Sequence, residues 1–140
     1  MFQSTEKPIE GRAKEAINLD GWTFYDQWCA KHVGRDEGKR PRVRSRTFKD
    51  DQGRYQTVFI DLIRIHFKKK NSDDTARRLR LLPCVKDLLE NSEDVPEIKE
   101  EGRKIKYIFR GMTPDGERFI VVVQEKRRQL ALLTFFPSNK

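Results

Sequence analysis

With 140 residues, 37% of them charged and 36% apolar, the chain is long enough for one domain with a core. No apolar run approaches the roughly 20 residues needed to span a bilayer, and nine Phe, three Tyr and two Trp exclude wholesale disorder. The formal net charge of +8 points to a polyanionic partner such as RNA, DNA or an acidic protein.

Residues 1–10 are polar, contain Pro8, and read as a loose lead-in. Over 11–33, Ala13, Ala16, Ile17 and then Trp22, Tyr25, Trp28, Cys29, His32 and Val33 recur at three- and four-residue steps, which describes helical faces. Leu19-Asp20-Gly21 is expected to divide them into two helices, with Asp20 capping the second. Trp22, Phe24, Tyr25 and Trp28 are assigned to the core. Residues 34–54 carry eight basic residues against four acids, broken by Gly34, Gly38, Pro41 and Gly53, and read as an exposed basic loop. Within it Arg40, Arg42, Arg44 and Arg46 alternate, so an extended stretch would present them on one side.

Residues 55–70 fit two patterns. Ile63, Ile65 and Phe67 alternate as in a strand, while Phe59, Leu62, Ile63 and His66 share a helical face; the lysine-rich end favours a helix. Asp73 or Asp74 is expected to cap a helix over 75–91, kinked or split at Pro83. Strands follow at 98–103 (irregular), 104–110, 117–125 and 129–136, with a turn over 111–116 and a tight one at Lys126-Arg127. The expected architecture is α+β: N-terminal helices packed on a four-stranded antiparallel meander. Residues 1–55 would be a helical extension with a basic loop, and 56–140 the core.

No metal-ligand spacing, Gly-rich phosphate loop or G-x-S-x-G elbow occurs, so no cofactor or metal is expected. Cys29 and Cys84 are too few and too far apart for a disulfide framework or a zinc site, and read as buried thiols. What remains is side-chain chemistry on a phosphodiester. The RNA 2′-hydroxyl attacks its own phosphate, and the protein supplies a base, an acid and cations. His66 is the acid–base candidate, since it titrates near neutrality and precedes Phe67 and three lysines. Arg77, Arg78 and Arg80 offer planar guanidinium groups to the phosphate. Lys104 and Lys106 share one strand face, and the hydroxyl of Thr134 interrupts an apolar strand. With a Lys126-Arg127 turn, Thr134 would face the same side as Phe119 and Val121; a bulge would reverse it. Charge is divided unevenly: residues 64–80 hold seven basic residues and two acids, residues 87–101 seven acids.

The run IDLIRIHF, then RLLPCVKDLLEN, then KYIFR, FIVVV and LLTFFP resembles the barnase–EndoU–colicin–RelE-like nucleases, in particular their phage-associated and contact-dependent toxin branch. The resemblance covers residues 56–140. It implies metal-independent cleavage of RNA, often tRNA, through His66, the Arg77–Arg80 cluster, Lys106 and Thr134. Arg40, Arg42, Arg44, Lys68, Lys69, Arg80 and Lys104 would hold the backbone. It also implies an acidic immunity or antitoxin partner and, for a cytoplasmic chain, export by a dedicated delivery system into a target-cell cytoplasm. Members of the family often carry a second histidine or an acid near the first, whereas here only Asp61 and Asp74 are near. The alternative is a non-catalytic nucleic-acid-binding or phage-associated structural protein using the same basic face.

Overall fold

A computed structural model describes residues 1–11, 13–31, 40–49 and 52–138. Its elements are β1 (Phe2–Gln3), α1 (Lys14–Lys31), β2 (Arg42–Lys49), β3 (Tyr55–Phe59), α2 (Leu62–Phe67), α3 (Ser72–Leu79), α4 (Leu82–Asn91), β4 (Glu97–Glu101), β5 (Lys104–Met112), β6 (Arg118–Lys126) and β7 (Gln129–Pro137). The class is α+β, but the sheet is not the expected four-stranded meander. Strands β4 to β7 do pair consecutively and antiparallel. Three more strands extend them to a seven-stranded mixed sheet, ordered β1-β5-β6-β7-β3-β2 with β4 also on β5. Two joins are parallel: β1 on β5, and β3 on β7 at Val58–Leu130 and Phe59–Ala131.

The additional strands come from segments read as loop or helix. In β2 the arginines alternate outward against buried Val43 and Ser45, a period of two. β3 pairs Val43 with Val58 and Arg42 with Phe59. It ends where the Tyr25 hydroxyl donates to the Ile60 carbonyl, and the chain then turns into α2, burying Ile63 and Phe67 one helical turn apart. The polar lead-in is held too. The Ser4 amide donates to the Met112 carbonyl at 2.9 Å, and the Ser4 hydroxyl donates to Asp87 at 2.9 Å.

A single helix replaces the two expected before residue 34. Gly21 does not break it; a Cβ there would lie 2.8 Å from the Leu79 Cβ, so this glycine lets α1 approach α3. His32 and Val33 of the expected helical stretch, and residues 34–39 and 50–51 of the basic loop, lie outside the described residues. Downstream, α3 and α4 divide before Pro83, which occupies the first turn of α4, where its missing N–H costs nothing. The cap of α3 is Asn71, whose side chain accepts from the Asp74 amide at 2.8 Å, and not an aspartate.

One core joins these elements. Trp28, Ile60, Phe67, Leu82, Leu88, Phe119, Val121, Leu132 and Phe135 are almost fully buried within it. Phe48 of β2 meets Tyr107 and Phe109 of β5 edge-on, with centroids 4.9 and 5.7 Å apart. These strands are not neighbours, so the sheet curls around the core. The boundary proposed at 55–56 falls at the start of β3, and α1 and β2 share this core with the rest. Alternate residues of β5, β6 and β7 (Lys104, Lys106, Ile108, Arg110; Ile120, Gln124; Thr134, Phe136) lie on the outer face and are half-buried or exposed.

Candidate functional site

Thr134 reaches the outer face through a bulge. The β6–β7 turn is Arg127-Arg128, because Lys126 pairs with Gln129. This is one residue later than expected, which changes each partner by two and leaves the face of Thr134 unaltered. The register then slips between Val122–Thr134 and Val123–Leu132. The extra residue, Leu133, turns Thr134 to the side of Val122 and away from Phe135 in the core.

Arg78 comes to Thr134 from α3. Its Nη1 donates to Thr134 Oγ1 at 3.1 Å and to the Phe135 carbonyl at 3.3 Å. The guanidinium carbon lies 5.3 Å from the Phe136 ring centroid. Asp74, one turn earlier on α3, accepts from Arg78 Nε at 3.3 Å and from Arg77 at 2.9 Å. Burial pushes the Asp74 carboxyl up, but the hydrogen bonds and charges of Arg77 and Arg78 outweigh it and hold the group below its ordinary value. The Arg78 side chain is 15% exposed, so it is fixed in place while its edge still meets the surface.

His66 stands exposed at the end of α2. Its pKa is lowered, first by partial desolvation and then by the positive charges of Lys70, Lys69 and Arg78. The shift favours the neutral imidazole, the form able to accept a proton. The same influence of Arg78 ties His66 to the Arg78–Thr134 pair. Arg78 and Thr134 thus meet where α3 and β7 converge, and His66 of α2 lies within electrostatic range of Arg78.

The others are placed apart or engaged. Lys106 lies on β5, opposite Gln124, which in turn faces Ala131. That sets it two strand spacings, about 10 Å, from β7, and its ammonium is 3.1 Å from Glu101. Lys104 is exposed further along β5. The guanidinium of Arg80 forms a bidentate pair with Glu117. Arg40 donates to Asp61 at 2.7 and 3.0 Å and lies 4.0 Å over the Phe59 ring. Arg42 and Arg44 stand on the outer face of β2, Lys68 and Lys69 are exposed directly after His66 in the chain, and Arg77 is exposed on α3. Two features escaped the sequence: the role of Asp74 in aiming Arg78, and the outer-face aromatics Phe59 and Phe136. The i, i+4 spacing of Asp74 and Arg78 was the available signal for the first.

Among the described residues no three His, Cys, Asp or Glu side chains gather as metal ligands. Both cysteines are free, and burial pushes the Cys84 thiol up to about 11. Among the described residues no helix is long and apolar enough to cross a membrane. Compared with protein-family models, curated proteins and solved structures, the chain matches none of them.

Proposed function

We propose that the chain cleaves RNA by attack of a 2′-hydroxyl on its own phosphate, at the junction of α2, α3 and β7. The observation that carries this is the Arg78–Thr134 hydrogen bond, with the exposed His66 of α2 within electrostatic range of Arg78 and followed by three lysines. His66 takes the proton of the attacking hydroxyl as base and returns one to the leaving 5′-oxygen. Arg78, held by Asp74 and Thr134, presents its guanidinium to the phosphorane oxygens without reorganising. Thr134 accepts from Arg78, so its own O–H remains able to donate to a phosphate oxygen. Lys69 and Lys70 add positive charge. Imidazole, guanidinium, hydroxyl and ammonium groups suffice for this chemistry, and the resemblance of residues 56–140 to toxin-type nucleases agrees with it. tRNA would be a suitable substrate, and an acidic immunity or antitoxin protein would be the complementary inhibitor of such a surface.

The test is an oligonucleotide with a single ribonucleotide in an otherwise deoxy strand, incubated in EDTA. Cleavage restricted to the 3′ side of that ribonucleotide, leaving a 2′,3′-cyclic phosphate, is expected. Cleavage of the all-deoxy strand would contradict the mechanism.

A second reading, a binding module without catalysis, is favoured by one observation. Among the described residues the carboxylates nearest in sequence to His66 are all engaged, Asp61 and Asp74 by arginines and Asp73 by Lys14. No separate acid is thereby offered as partner to the imidazole. Tight binding of the all-ribose strand with no product would establish that reading.

A further inference from the structure

The turn joining β6 to β7 is made of two arginines, both with left-handed backbone: φ is 53° at Arg127 and 65° at Arg128. A two-residue hairpin of this kind favours Asn-Gly, because L side chains crowd the following carbonyl in that region. Two consecutive long basic side chains are kept there at a cost in stability, and such outliers cluster at functional sites. What they face supplies the reason. Arg128 lines an open cleft of about 710 Å³ with Arg44 of β2, Arg54, Tyr55 and Phe59 of the β3 region, and Leu130. Arg127 and Lys126 line a second cleft with Arg40, and the two meet at Gln129. No acidic side chain is among the described residues lining either.

We propose that this cleft is a second, non-catalytic subsite that holds single-stranded RNA. A backbone phosphate sits between Arg128, Arg44 and Arg54, and a base stacks on Tyr55. Tyr55 is 42% exposed, with the Lys49 ammonium 5.5 Å from its ring centroid, so aromatic surface and positive charge are presented together, as in sites that track a single strand. Leu130 in the cleft and Thr134 beside Arg78 belong to the same strand, four residues apart. At ~3.3 Å per residue they are separated by about 13 Å. The outer face between them carries Ala131 and its partner Phe59, over which Arg40 is stacked. A strand gripped in the cleft can therefore continue across the outer face to Thr134 and Arg78. RNA is chosen as ligand because this inference rests on the cleavage proposed above; the cleft itself would recognise any flexible single strand.

The experiment measures fluorescence anisotropy of a labelled 12-nucleotide oligouridine with the His66→Ala protein in EDTA, so that binding is read independently of cleavage. Arg127→Asn/Arg128→Gly relieves the turn and should raise the melting temperature by a few degrees, which also shows the variant to be folded. Its affinity should nevertheless fall at least tenfold, and the slope of log K against log salt should lessen by about 0.7 for each phosphate no longer neutralised. Tyr55→Ala should weaken oligouridine roughly tenfold and an RNA duplex little. Unchanged affinity in the turn variant, or no binding of the parent at micromolar protein, would overturn the subsite. Equal losses for oligouridine and polyglutamate, with Tyr55→Ala silent, would overturn it in favour of a general polyanion surface such as an acidic protein would use. Failure of wild type to cleave bears on the catalytic proposal alone.

Discussion

Thr134 is turned outward by one inserted residue, Leu133, and its hydroxyl then meets the Nη1 of Arg78 at 3.1 Å. Removing that hydroxyl while keeping its shape isolates its role. Thr134→Val should lower kcat about 10–100-fold with KM nearly constant, if Thr134 helps position Arg78 in the transition state. The stability loss should be about 1 kcal/mol, the worth of one partly buried hydrogen bond. Thr134→Ser should retain most activity. His66 supplies a pH signature. Its pKa lies below the ordinary 6.5, lowered by partial burial and then by Lys70, Lys69 and Arg78. A base acts in its neutral form, so kcat/KM should rise as pH climbs, with the acid-limb midpoint below that value. Lys69→Gln/Lys70→Gln removes two repelling charges and should move the midpoint upward. A midpoint insensitive to both lysines would show that His66 is not the titrating group.

At the scale of elements, Gly111 and Phe119 make the sharpest prediction. They face each other across β5 and β6, and a Cβ at Gly111 would run into the Phe119 ring. Gly111→Ala should cost about 1–3 kcal/mol through overpacking, seen as a lower midpoint in urea denaturation. Gly111 also shows why parts of the fold were hidden in sequence. Glycine beside Met112-Thr113-Pro114 reads as a turn, and only the ring across the sheet shows that it continues the strand. Gly21 misled in the same way within α1, where the reason for glycine is Leu79, distant in sequence. β2 and β3 were obscured because their buried residues are only Val43, Ser45, Phe48 and Val58, and a register shift between Ser45 and Lys49 breaks the alternation, so the pattern is too weak to override the arginines and Pro41. The strands β5 to β7 and the division at Pro83 were legible, since long apolar runs and proline act locally, whereas the exposed, charged β4 was expected only as an irregular strand over 98–103. Of the candidate site, Arg78 and Thr134 could be singled out by residue type; the bulge that brings them together could not be placed, because register depends on the partner strand.

Across the whole molecule, charge segregates. Asp87, Glu90, Asp94, Glu97 and Glu101 occupy α4, β4 and the connection between them, whereas the outer face of β2 and the β6–β7 turn are basic. Binding of RNA should therefore weaken steeply with salt, and neutralising Arg42 and Arg44 should flatten that dependence without altering kcat. Folding has its own electrostatic tie, the Arg80–Glu117 pair that joins α3 to the start of β6. The hydrogen bonds from Arg80 hold the Glu117 carboxyl below its ordinary value. A depressed carboxylate contributes stability that is fully present above its unfolded pKa and is lost as pH falls through the folded one. Stability should thus decline on acidification below about pH 4.5, and Arg80→Met should remove part of that decline in thermal melts across pH. The central claim is metal-independent cleavage through His66. It is tested most directly by incubating wild type and His66→Ala with total tRNA in EDTA and resolving the products on a denaturing gel. Discrete fragments from wild type, absent with the variant although it still shifts tRNA on a native gel, are the predicted result. Intact tRNA with wild type at micromolar protein, or fragments undiminished in the variant, would contradict it.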